Sequence, residues 1–95
     1  MDFYVECKGP CNNVNITLNA DSGDPDLFGY QYSRPTVTDR TCSQCSSICS
    51  SRAGTGTDTC TVTTSTRFFY VTVYAYTNHG KGTLKFENVL KVKTI

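Results

Sequence analysis

The chain has 95 residues, 38% of them hydrophobic, with nine basic against eight acidic side chains and a formal net charge of +1. That length holds one domain, residues 1–95, and the modest apolar fraction with a mean hydropathy of −0.32 allows only a thin core. No basic block exceeds two residues and no apolar run approaches the roughly 20 residues a bilayer span needs, so neither nucleic-acid binding nor membrane insertion is expected.

Thr, Val, Tyr, Phe, Ser and Asn dominate while helix formers are scarce, which favours strands and turns. Asp2 to Cys7 reads as a first strand, closed by the Gly- and Pro-punctuated loop Lys8-Gly9-Pro10. Val14, Ile16 and Leu18 alternate with Asn13, Asn15, Thr17 and Asn19, predicting a strand with one buried and one wet face. Asp21 to Asp26 is a turn of side chains that hydrogen-bond their own backbone, and Leu27 to Tyr32 resumes extended chain. From Thr41 to Asp58 the Ser/Thr/Gly-rich sequence predicts a long loop holding three cysteines.

Thr59 to Thr64 alternates Cys60 and Val62 with polar neighbours. Phe69, Val71, Val73 and Ala75 then point one way, and Tyr70, Thr72, Tyr74 and Tyr76 the other. Asn78-His79-Gly80-Lys81-Gly82 predicts a turn. Leu84, Phe86 and Val89 or Leu90 begin the last strand pair, with Glu87-Asn88 a bulge or second turn. Short strands with no helices between them predict a small, all-β antiparallel sandwich.

Cysteines stand at 7, 11, 42, 45, 49 and 60. An even number in so short a chain reads as three disulfides stapling a domain with little apolar surface to bury, which implies an oxidising, extracellular compartment. The opening residues Met1 to Glu6 carry neither the basic nor the apolar region of a secretory signal, so the expectation is a module excised from a longer secreted precursor. The loop from Cys7 to Cys11 is short enough to return its ends to the roughly 4.4–6.8 Å between Cα atoms that a disulfide needs. Cys42-Ser43-Gln44-Cys45 as a redox or zinc motif lacks a following helix or a second ligand pair.

Ser22-Gly23-Asp24-Pro25-Asp26-Leu27-Phe28 resembles the S-G-D-x-D-L-Y signature of the bacterial pre-peptidase C-terminal domain family. Arg34-Pro35-Thr36 and Cys42 follow at the family's spacing. Asp58-Thr59-Cys60-Thr61-Val62 resembles its E-T-C-T-V strand, Arg67 to Tyr76 its aromatic penultimate strand, and Asp2-Phe3-Tyr4-Val5 its opening strand. The resemblance covers nearly the whole chain. It implies a jelly-roll-like sandwich appended to secreted proteins as an adhesion or targeting module; related clostridial collagenase domains bind collagen. It also implies a Cys42–Cys60 bond, which together with Cys7–Cys11 leaves Cys45–Cys49; the rival arrangement is Cys42–Cys45 with Cys49–Cys60. Cys7, Cys11, Cys45 and Cys49 depart from the family pattern and suggest a more heavily stapled, eukaryotic relative.

No nucleophile–base signature is present, and no enzymatic activity is expected. His79 is the sole histidine, in a Gly-rich turn. Asp2, Asp21, Asp24 and Asp26 are the candidate calcium ligands, but Ca²⁺ wants about 6–8 oxygens and turn capping explains the cluster better, so no cofactor is expected. Asn15-Ile16-Thr17 is an N-glycosylation sequon on the wet face of its strand. Tyr70, Tyr74 and Tyr76, with Tyr30 and Tyr32 on a neighbouring strand, form the candidate surface for an extracellular protein or glycan. The alternative is a spacer or folding aid whose tyrosines only bind the sheet together.

Overall fold

The computed structural model describes residues 2–22, 25–36, 42, 49–51, 57–75 and 81–95. Among them the regular elements are all strands: β1 (Asp2–Glu6), β2 (Val14–Ser22), β3 (Pro25–Tyr30), β4 (Cys49–Ser51), β5 (Thr57–Val62), β6 (Phe68–Ala75), β7 (Lys81–Glu87) and β8 (Lys91–Thr94). They form two antiparallel sheets of order β4-β3-β6-β1-β8 and β5-β2-β7. Partners nest, β1 with β8, β2 with β7 and β3 with β6, as when one long hairpin is rolled on itself. This is the pairing logic of a jelly roll, with the strands divided five and three.

The core is built by period-two alternation. Val14, Ile16 and Leu18 of β2 and Val62 of β5 face Val5 of β1, Leu27 of β3 and Phe69 and Val71 of β6, and all are buried. Phe3 and Phe86 join the two sheets edge to face, with ring centroids 6.0 Å apart. Full burial of a side chain such as Ile16, Leu27 or Phe69 stabilises by about 1.5–3 kcal/mol each.

One end is closed covalently. Cys7 and Cys11 are disulfide-bonded with Cα atoms 5.4 Å apart, and Cys11 is fully buried. The staple is also sewn by backbone to the β5–β6 connection: the Cys7 amide donates to the Arg67 carbonyl, the Cys11 amide to Thr66 and the Thr64 amide to Cys11, at 2.8–2.9 Å. The Thr66 hydroxyl donates to the Phe68 carbonyl at 2.5 Å, fixing the entry to β6. Nearby, Asn13 and Asn88 adopt left-handed φ of 50° and 67°, a region Asn enters more readily than most residues. The Asn88 side-chain amide donates to the Asn13 carbonyl at 2.9 Å, tying the start of β2 to the β7–β8 turn.

Three boundaries differ from the sequence expectation. The span from Thr41 to Asp58 contains β4 at Cys49–Ser51 and the start of β5 at Thr57; a three-residue Cys-Ser-Ser strand has no apolar alternation to reveal it. Of the turn expected over Asp21 to Asp26, Asp21 and Ser22 belong to β2 and Pro25 and Asp26 to β3, with a register shift between Ala20 and Ser22. β7 begins at Lys81, so Lys81 and Gly82 belong to a ladder rather than to the turn before it.

Candidate functional site

The two outward faces of the sandwich differ in chemistry. On the three-stranded sheet, Asn15, Thr17 and Asn19 of β2 lie between Thr59 and Thr61 of β5 and Thr83, Lys85 and Glu87 of β7. Short hydrated side chains cover it, and Asn15 is exposed, its side-chain carbonyl accepting from the Thr61 hydroxyl at 3.0 Å. The outer face of the five-stranded sheet is aromatic. Antiparallel register sets Tyr30 of β3, Tyr70 of β6, Tyr4 of β1 and Lys93 of β8 in one row. The neighbouring row sets Phe68 of β6 beside Glu6 of β1 and Lys91 of β8.

These rows converge on three rings. Tyr4 and Tyr70 have centroids 5.5 Å apart, and Phe68 lies 6.0 Å from each. Directly opposed and diagonal side chains on one sheet face reach each other at this spacing, and tilted or edge-on contacts suit the ring quadrupoles. All three rings are half-buried. Beside them Tyr4, Glu6, Lys91 and Lys93 line an open hollow of about 130 Å³ between β1 and β8. Burial and then the adjacent Glu6 carboxylate, to which the Tyr4 hydroxyl donates, hold the Tyr4 phenol above its usual pKa of 10.0.

The other half of this face is covered. Phe28 is fully buried against Cys42, and Tyr30 and Tyr74 pack on that pair. Tyr32 lies beyond the end of β3, 63% exposed, its ring 5.8 Å from Tyr30 and edge-on. Of the tyrosines expected in the row, Tyr70 and Tyr30 are in register; Tyr74 shares the face, half-buried against Phe28 and Cys42, and Tyr76 falls outside the described residues. Tyr4 and Phe68 were missed. Tyr4 follows Phe3 in a five-residue strand, and only the pairing of β1 with β6 brings its ring to Tyr70.

The remaining expected residues are dispersed. Asp2 accepts from the Thr72 hydroxyl at 2.8 Å and lies 3.7 Å from the Arg34 guanidinium. Asp26 is fully buried beneath the covered half of the aromatic face, Asp21 is described in its backbone alone, and Asp24 and His79 lie outside the described residues. Among the described residues no three His, Cys, Asp or Glu side chains gather as a metal site, and no helix is long and apolar enough to cross a membrane. Cys42 and Cys60 are both disulfide-bonded; Cys45 lies outside the described residues, and of Cys49 only the backbone is described. No protein-family model matches the chain, and neither a curated protein nor a solved structure matches it.

Proposed function

We propose that this chain is a non-catalytic extracellular interaction module of the pre-peptidase C-terminal type, meeting a protein or glycan through the uncovered half of its aromatic sheet face. The supporting observation is the contrast between the two outer faces. A sheet needs only one buried face, and the three-stranded sheet keeps its other face in Asn, Thr and charged residues. The five-stranded sheet instead leaves Tyr4, Phe68 and Tyr70 partly in water beside two exposed lysines. Rings with polar tips give large contact area at low entropy cost, which suits recognition. Among the described residues no cysteine is free, which supports an oxidising compartment.

The second reading, a spacer without a ligand, draws on the covered half, where Phe28, Tyr30 and Tyr74 serve packing. Surface-immobilised module probed with matrix proteins and a glycan array separates the two. Tyr70→Ala is expected to weaken any ligand found by about tenfold, as for a central aromatic contact, while Thr61→Ala on the opposite face leaves it unchanged. Equal binding by parent and Tyr70→Ala would remove this face from consideration, and an array with no ligand favours the spacer. Tyr74→Ala is expected to act on stability instead, because its ring packs against Phe28 and Cys42.

A further inference from the structure

The ring triangle and the hollow beside it lie next to each other on one sheet face and share Tyr4. The buried pair Phe28 and Cys42 lies to one side of them on the same sheet, and β8, the last strand, lies to the other. A hollow of about 130 Å³ admits a single ring with its substituents. The fit is to a small cyclic ligand.

Charge narrows the choice. Lys91 and Lys93 are exposed, and among the described residues neither ammonium group is in an ion pair. Against them stands one carboxylate, Glu6, opposite Lys91 and already accepting from the Tyr4 hydroxyl. Two cations and one anion leave one positive charge over the hollow, complementary to one negative group on a ligand. Glu6 has further lone pairs to accept from hydroxyl donors. Flat rings supply the negative π face against which the polarised C–H bonds of a saturated sugar ring can lie. Single-stranded nucleic acid would need a basic groove that tracks its backbone, and two lysines interrupted by a glutamate do not make one.

We propose that this surface binds an acidic saccharide, a pyranose bearing a ring carboxylate, held against the Tyr4 ring at the edge of the Tyr4–Phe68–Tyr70 cluster with its anion between Lys91 and Lys93 and a hydroxyl on Glu6. The assignment rests on the reading of this face as the contact surface and adds the ligand class. Both lysines sit on an edge strand whose residues are all exposed, so they can be changed without touching the core. Each exposed ion pair is weak and screened by salt, so the two together are worth about tenfold in affinity at low ionic strength.

The test is titration of the whole chain, by amide-resolved NMR at low salt, with tri-galacturonate and with its methyl ester, which keeps the rings and removes the charge. The acid is expected to shift resonances of Tyr4, Lys91 and Lys93 and to bind about tenfold more tightly than the ester. Lys91→Glu/Lys93→Glu should abolish that preference with an unchanged melting temperature, and Tyr4→Ala should weaken both sugars. No binding of the acid at roughly 10 mM, or equal binding of acid and ester, overturns the acidic-sugar assignment while leaving the contact surface standing. Sugar binding that ignores Tyr4→Ala in a folded variant overturns the contact surface itself.

Discussion

Replacing Cys7 and Cys11 together by alanine removes the staple at a sequence separation of 4 and two sulfurs that are buried in the core. In the chain-entropy treatment, a closed loop of this size restricts the unfolded ensemble by about 2 kcal/mol at 25 °C. Lost burial of the two sulfurs adds about 1 kcal/mol. The backbone bonds from Cys7 and Cys11 to Thr64, Thr66 and Arg67 need no sulfur and should persist. Unfolding entropy near 2.1 cal/mol/K per residue amounts to about 0.2 kcal/mol/K for a chain of this length, so about 3 kcal/mol corresponds to a melting point lower by roughly 15 °C. Thermal melts followed by circular dichroism, with the remaining cysteines oxidised, measure this directly. A drop below roughly 4 °C would refute the reasoning that a short covalent closure substitutes for interior volume. Because the staple is sewn to the residues just before Phe68, the variant should also broaden the NMR resonances of Phe68 and Glu6 before those of β2.

Burial and the Glu6 charge raise the Tyr4 pKa, so the neutral phenol is favoured in the folded state. That contribution to stability is complete below the unfolded tyrosine value near 10 and is lost as pH rises through the folded one. Tyr4→Phe should therefore delete the late part of the phenolate absorbance titration at 295 nm and flatten the alkaline fall in stability; deletion of an early-titrating phenol would contradict the assignment. A Cβ at Gly9 would meet nothing within 4 Å, so Gly9→Ala should be neutral or raise stability by about 0.5 kcal/mol in denaturant melts, and a clear loss would show that the loop needs glycine. Made in a eukaryotic secretory host, the chain should carry a glycan that Asn15→Gln eliminates by intact mass. Ile16 within that sequon is fully buried, so folded protein should be a poor acceptor and modification must precede folding.

Much of the fold is readable in sequence wherever one side of a strand is buried and the other is wet. β2 and β6 show this plainly: Val14-Ile16-Leu18 and Phe69-Val71-Val73 alternate without interruption, and each set faces inward. The site was less legible, for a physical reason. Membership of a face is local, because it follows from parity along one strand, whereas adjacency on that face depends on register between strands distant in sequence. Tyr70 could be assigned outward from its own strand, but Tyr4, its ring neighbour, is separated from it by 66 positions and joined to it by the β1–β6 ladder. Tyr74 shows the same limit from the other side: parity places it on the outer face, but its packing against Phe28 and Cys42 joins residues far apart in sequence.

The nesting of β1 against β8 has a mechanical corollary. Asp2 and Ile95 meet through a hydrogen bond of 3.0 Å, so the polypeptide enters and leaves the sandwich at the same corner. Tension applied to Asp2 and Ile95 would load that corner and peel β8 from β1 one rung at a time, whereas shear would have to break the whole ladder at once. Because Lys93 and Lys91 lie on the peeling strand, a modest pull would carry away the cationic side of the hollow while the disulfide-held remainder stayed intact.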